Sequence, residues 1–333
     1  MSDVVLLIAG LALLIVGGEL LVRGAVGVAE RLGMSPLLIG LTLVGFGTST
    51  PELVTSVEAA MIGSPGIAIG NVVGSNIANV LLILGASALI SPIAVGSGAL
   101  ARDGVAVLGV AVLFAAIGFL LPLDRIVGTG LVLGLIGYIW LAWLQESRDG
   151  ADGHTAAYEK AEAFDELHDG PIRHQLEAKR WADRVGILLP LAMAIGGLAL
   201  VVLGGKQLVG GAVGLARNLG ISETVIGLTI VAVGTSMPEL VTSLVAAYRR
   251  HSDVALGNVM GSSIYNILGI GGTTALLSPT VVPPEIASFD NLVMVASSLA
   301  LLVLAHSGRH ISRIEGAALL VAYAVYVYAL LPK

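Results

Sequence analysis

Residues 40–60 read GLTLVGFGTSTPELVTSVEAA, and residues 227–247 read GLTIVAVGTSMPELVTSLVAA. The two stretches align without a gap at a shift of 187, and fifteen of the 21 positions are identical. The same shift carries Gly18 onto Gly205, Gly33 onto Gly220, Asn71 onto Asn258, Ser75 onto Ser262, Asn79 onto Asn266, Pro92 onto Pro279 and Asp103 onto Asp290. With a one-residue slip, Arg125 falls against Arg313 and Tyr138 against Tyr326. The chain is one unit written twice. A duplication kept only for packing would repeat its hydrophobic positions. What recurs most faithfully here is Gly, Thr, Ser, Pro, Glu and Asn, and ionisable or polar groups are costly inside lipid.

Lipid is the solvent that the rest of the sequence implies. Hydrophobic residues make up 56% of the 333 and charged residues only 12%, with a mean hydropathy of +0.94. A soluble domain carries roughly a quarter charged residues, so this chain cannot cover a water-facing surface. About 20 apolar residues cross the bilayer core as a helix. Ten such runs can be placed, at 3–29, 35–62, 67–90, 103–122, 125–145, 184–216, 222–248, 253–277, 287–306 and 311–331. The expected fold is an all-α polytopic membrane protein of ten transmembrane helices. Residues 1–145 form an N-terminal five-helix repeat with its motif at 40–79. Residues 146–183 are a linker, and 184–333 form a C-terminal repeat with its motif at 227–266. Five is odd, so the second copy enters the membrane from the opposite side. Inverted repeats of this kind are an architecture of secondary transporters, with the site at the repeat interface near the midplane.

Orientation follows from positive charge. With the N-terminus outside, 13 of the 17 Lys and Arg residues lie on one side, leaving Arg125, Lys206, Arg217 and Lys333 on the other. The positive-inside rule then predicts a multi-pass protein of the cell (inner) membrane, both termini outside and the 146–183 loop cytoplasmic. Asp3 and the lack of a basic n-region argue against a cleaved signal peptide. Cysteine is absent, which removes disulfides and thiolate metal sites. The net charge of −6 comes with no basic patch of the nucleic-acid kind.

In span two, Gly45, Gly47 and Pro51 interrupt an otherwise good helix around Thr48, Ser49 and Glu52. Proline removes a backbone donor and glycine loosens the helix. Unwound backbone at membrane depth survives only where it is buried in protein or lines a wet cavity. The sequence therefore predicts a broken helix at the midplane, offering carbonyl oxygens. Thr48 and Glu52, at i and i+4, face the same way. Span seven repeats every element except the first glycine, with Ala232 in its place, then Gly234, Thr235, Ser236, Pro238 and Glu239. No Lys, Arg or His falls at midspan in the ten runs, so the two glutamates are expected to lack a salt-bridge partner and to be functional. Spans three and eight carry GNVVGSNIAN (70–79) and GNVMGSSIYN (257–266). Their glycines at 70, 74, 257 and 261 permit close helix approach, while Ser75, Asn79, Ser262 and Asn266 supply side-chain oxygens. The donor set is oxygen only, which suits a hard cation such as Ca²⁺ with its six to eight oxygen ligands. No His or Cys cluster suits zinc or copper. Two carboxylates balance one Ca²⁺ or two Na⁺, a physical basis for exchange. An enzyme reading lacks a nucleophile–base pair, and a channel reading requires a ring of subunits where one chain here holds both halves of the site.

These motifs resemble the two alpha repeats of the Ca²⁺/cation antiporter superfamily, in its sodium/calcium exchanger branch of prokaryotic type. GTSTPELVTS (47–56) with GNVVGSNIAN, and GTSMPELVTS (234–243) with GNVMGSSIYN, carry the resemblance, which covers essentially the whole chain. It implies alternating-access exchange of Na⁺ for Ca²⁺ by a single chain with no cofactor, the two ions being its substrates. It implies Glu52 and Glu239 as shared central ligands, with Thr48 and Thr235 adding oxygens to a Ca²⁺ site. Ser49, Ser236, Ser75, Ser262 and the carbonyls of Gly45 and Ala232 would complete flanking Na⁺ sites, with Asn79 and Asn266 between them. Spans one and six, with Gly17, Gly18, Gly204 and Gly205, would slide as a gating pair. Some relatives carry Asp where this chain has Asn266, which argues against a third titrating carboxylate and against potassium dependence. The proton/calcium branch usually has an Asn-Ala pair before its glutamates. Na⁺ is therefore favoured as counter-ion, with H⁺ exchange, or another divalent ion, the alternative on the same scaffold.

Outside the motifs, Glu58 is expected at a vestibule or the surface. Asp103 and Asp290 open spans four and nine, where a carboxylate complements the helix dipole. The 146–183 loop holds ten acidic residues and no EF-hand pattern, so a solvated linker with a short helix near 155–167 is expected. His154, His168 and His174 fall there without helical ligand spacing.

Overall fold

The computed structural model describes residues 2–34, 36–95, 100–148, 155–167, 186–308 and 310–331. Span one is α1 (Ser2–Arg31). Span two is divided at the motif into α2 (36–47) and α3 (Thr50–Met61), the second with Pro51 in its first turn. Proline is tolerated there because its missing N–H would lack an intrahelical partner anyway. Then come α4 (Pro65–Ile90), α5 (Arg102–Leu120) and α6 (Arg125–Arg148). The linker contributes α7 (Ala156–Leu167). The second copy follows with α8 (Leu188–Leu219), α9 (Glu223–Thr235), α10 (Met237–Tyr248), α11 (252–277), α12 (286–308) and α13 (Arg313–Leu330). Among the described residues, eight of these helices are long and apolar enough to cross a membrane alone, and α9 with α10, bent by 50°, makes one broken span. The pair α2 and α3 occupies the run read at 35–62. Two short strands, β1 (Ile93–Ala94) and β2 (His310–Ile311), pair antiparallel and tie α4 to α13.

Helix ends follow their local chemistry. Ser222 caps α9 by accepting the Val225 N–H, and Ser312 with Glu315 forms a capping box on α13. Gly220 ends α8 in the left-handed conformation at φ 65°, where a β-carbon would be strained. The motifs also carry a feature that periodicity did not foretell. Gly40–Val44, Asn79–Leu84 and Leu100–Gly104 wind as π-helix, and so do their counterparts Gly227–Val231, Tyr265–Gly271 and Ile286–Asp290. Such widened turns cluster at functional sites.

Burial sorts the helices. α4 and α11 are almost wholly enclosed, while α1, α6, α8 and α13 turn most of their apolar surface outward. That is the inside-out distribution of a protein solvated by lipid. α1 and α8 run antiparallel and approach along their whole length. Gly17 lies against Leu200 and Val201, and Gly204 against Gly10 and Leu14. Their neighbours face elsewhere: Gly18 meets Pro51 and Gly205 meets Val54, so the pair also rests on α3.

Candidate cation site

The helix breaks fall at Ser49 (φ −89°, ψ 11°) and Ser236 (φ −83°, ψ 11°), just ahead of the prolines. Leaving the helical conformation there turns each serine toward the other copy. Ser236 Oγ donates to Glu52 Oε1 at 3.0 Å, and Ser49 Oγ donates to Glu239 Oε1 at 3.4 Å. The two glutamates are 2% and 3% exposed. Each half of the sequence therefore completes the environment of the other half's carboxylate.

Two residues that were read only as part of the repeat hold this arrangement. Asn71 Nδ2 donates to the Glu52 carbonyl at 3.1 Å and to Ser56 Oγ at 2.9 Å. Asn258 Nδ2 does the same to the Glu239 carbonyl at 3.2 Å and Ser243 Oγ at 2.8 Å. The signal was present in the shift of 187 that pairs them, since an asparagine buried at both places needs partners.

The oxygens proposed around the glutamates divide unequally. Thr235 Oγ1 lies 3.0 Å from Asn71 Oδ1 and 3.3 Å from the Ala232 carbonyl, and Ser75 Oγ lies 3.4 Å from that same carbonyl. On the other half, among the described residues Thr48 Oγ1 reaches only the Gly45 carbonyl, at 3.4 Å. Asn79 opens the π turn that packs on α10, the helix of Glu239, and Asn266 lies in the π turn that packs on α3, which carries Glu52. Glu52 Oε2, Glu239 Oε2, both amide atoms of Asn79 and Asn266 Oδ1 are buried without a hydrogen-bond partner among the described residues. Native interiors rarely leave such atoms unsatisfied without a functional reason. Here they are oxygens, apart from one amide nitrogen, which suits a hard cation as cargo.

Two expectations need correction, and a third is extended. A basic group does reach the carboxylates: Lys160 Nζ lies 3.4 Å from Glu239 Oε1 and contacts Ser262 Oγ, and the side chain is wholly buried. It comes from the linker, outside the ten apolar runs. The linker helix forms where it was read, but it is not solvated, for Thr155, Ala156, Ala157, Glu159, Lys160 and Ala161 are all buried. Asp103 does more than complement its own helix. Buried at the π-wound start of α5, it accepts from Arg102 at 2.8 Å, from the Tyr138 hydroxyl at 3.3 Å and from the Ala156 N–H of α7 at 2.9 Å. Its counterpart Asp290 accepts from the Tyr326 hydroxyl at 2.9 Å. Glu58 is partly buried in the last turns of α3. His154, His168 and His174 lie outside the described residues, among which no group of three His, Cys, Asp or Glu could hold a metal ion.

Crossed carboxylates with hydroxyl and amide neighbours, enclosed by lipid-facing helices, define a membrane transporter of cations. A model of the family described as "Sodium/calcium exchanger protein" matches residues 2–144 and 189–331. The chain belongs to that family, and it is a membrane antiporter of cations rather than an enzyme. It is 37% identical over 342 residues to the sodium/calcium exchanger MaX1 of Methanosarcina acetivorans, covering 98% of this chain and 97% of that one. It is 34% identical over 302 residues to the inner membrane protein YrbG of Escherichia coli, covering 88% and 86%. Among solved structures it is similar to the sodium-calcium exchanger NCX_Mj soaked with Na⁺ and Sr²⁺, with a TM-score of 0.63, 31% identity and 99% of each chain covered.

Proposed function

We propose that this chain exchanges Na⁺ for Ca²⁺ by alternating access at one site shared between two inverted five-helix repeats. The observation that carries the reading is the reciprocal pair of bonds, Ser236 to Glu52 and Ser49 to Glu239, beside carboxylate oxygens that no donor among the described residues satisfies. Glu52 and Glu239 are the ligands common to both ions. Thr48 and Thr235 add oxygens for Ca²⁺. Ser49, Ser236, Ser75, Ser262 and the carbonyls of Gly45 and Ala232 serve Na⁺, with Asn79 and Asn266 between. The approach of Ser75 and Thr235 to the Ala232 carbonyl supports a cluster of oxygens there. The antiparallel contact of α1 with α8, which begin the two copies, supports the inverted arrangement. The charge bias supports ten spans with both termini outside and the linker in the cytoplasm.

Sodium is favoured because Asn79 and Asn266 are neutral, leaving two carboxylates to balance one Ca²⁺ or two Na⁺. Burial of both carboxylates also suits a proton as counter-ion, so the test separates the two. Proteoliposomes loaded with Na⁺ are expected to take up Ca²⁺, and K⁺-loaded vesicles are not. Uptake that follows an imposed pH gradient and ignores Na⁺ moves the protein to proton coupling.

A further inference from the structure

The two copies make one seam on either side of the crossed glutamates, and the two seams are filled differently. On one side α4 lies directly on α9. A β-carbon at Gly66 would come 2.9 Å from Thr224 N, one at Gly70 would come 3.0 Å from Leu228 N, and one at Gly74 would come 2.8 Å from Ala232 Cβ. On the other side the counterparts Gly257 and Gly261 do not face α2. A β-carbon on Gly257 would strike Glu159, and one on Gly261 would lie 2.9 Å from the Ala156 carbonyl and 3.1 Å from Lys160 Cβ. Gly40, the counterpart of Gly227, lies opposite Ala161, and a β-carbon added to it would come 3.1 Å from Ala161 Cβ. The linker helix fills the slot that α9, the first half of a broken span, fills in the other copy.

Hydrogen bonds tell the same story. Thr235 reaches Asn71 and Ser75 reaches the Ala232 carbonyl, whereas the equivalent contacts of Thr48 with Asn258 and of Ser262 with Gly45 are not made among the described residues. Ser262 meets Lys160 instead. Sequence asymmetry contributes to the opening. Tyr265 stands where the first copy has Ala78, and its buried hydroxyl donates to the Leu41 carbonyl of α2. The inserted helix is also fastened. Its first N–H groups go to Asp103 and Glu146, and Thr155 Oγ1 accepts the Tyr158 N–H at 3.3 Å.

An ammonium held against a carboxylate and a hydroxyl of the cation site is chemically a bound monovalent cation. It differs from the cargo in being covalently attached. Burying it without a partner would be strongly unfavourable, so the slot and Glu239 are what make its position tenable. From this geometry, and resting on the exchange reading above, we propose that α7 is an autoinhibitory plug. Lys160 occupies the cation site from the linker face, and an ion can reach the site from that face only after the helix withdraws.

Two measurements decide it. In Na⁺-loaded proteoliposomes, Lys160→Met is expected to lower the Ca²⁺ concentration that half-saturates uptake, by about tenfold if the plug is seated nine-tenths of the time. An unchanged or higher half-saturation, or loss of uptake in a folded variant, overturns the proposal. The second readout needs no transport. The chain has no cysteine, and Gly40→Cys with Ala161→Cys places two β-carbons close to disulfide separation. Oxidation is expected to cross-link them, and saturating Ca²⁺ to slow that reaction several-fold. No cross-link, or the same rate with and without Ca²⁺, overturns the plug. Should Na⁺ drive no uptake in any variant, the exchange reading fails, while the cross-linking rate still answers for the helix.

Discussion

The seam of α4 on α9 and the seam of α11 toward α2 are built from the same written motif, yet one is closed and the other holds a third helix. Glycine makes both outcomes possible. Without a β-carbon, Gly70 and Gly74 let two spanning helices meet backbone to backbone, and Gly257 and Gly261 leave a groove that α7 fits. A repeated sequence therefore encodes a repeated surface, while the partner of that surface is decided elsewhere in the chain. Here Tyr265 and the linker decide it.

The largest expected effect separates the two glutamates. Glu52→Gln and Glu239→Gln should each abolish Ca²⁺ uptake with the protein still folded, and normal flux in either would refute the shared site. Of the two, only Glu239→Gln removes a direct partner of Lys160, so only that variant should also slow the cross-link between positions 40 and 161. A smaller effect tests the closed seam. Gly74→Ala should cost about 1–3 kcal/mol by overpacking, read as a lower Tm in detergent, because Ala232 and Leu228 cannot move aside. Gly261→Ala should lower Tm less, since α7 can withdraw. Equal losses would mean that the plug is as fixed as a span.

The asparagines probe what the two halves share. Asn71→Ala and Asn258→Ala each strand a buried carbonyl and a hydroxyl, at about 1–3 kcal/mol, and their effects on Tm should agree within error. The smallest change is Thr155→Ala, which removes a helix cap worth about 1 kcal/mol. It should lower the seating equilibrium roughly fivefold, which takes a plug seated nine-tenths of the time to about six-tenths and the cross-linking rate down by about a third, and leave Tm nearly unchanged.

Much of this was legible in the sequence because polar residues stand out against lipid. The Gly-Thr-Ser-x-Pro-Glu stretches located the helix breaks, and the shift of 187 brought together the residues that cross-bond. The π turns were not legible, because one extra residue in a turn leaves apolar periodicity almost intact over five to seven positions. Lys160 was missed for a different reason. Charges in a loop between apolar runs read as solvated, and ten acidic residues strengthened that reading. A finer signal was present in Ala156, Ala157, Lys160 and Ala161, which share one helical face where small side chains surround a single cation.

Thr155 is joined to the end of α6 by only six residues, 149–154. Because Lys160 and the site belong to one chain, Lys160 competes for it at an intramolecular effective concentration. Dilution of the protein leaves that figure unchanged. The linker thus sets a concentration threshold that a free cation must exceed, and lengthening or shortening those six residues would retune it without touching a single ligand.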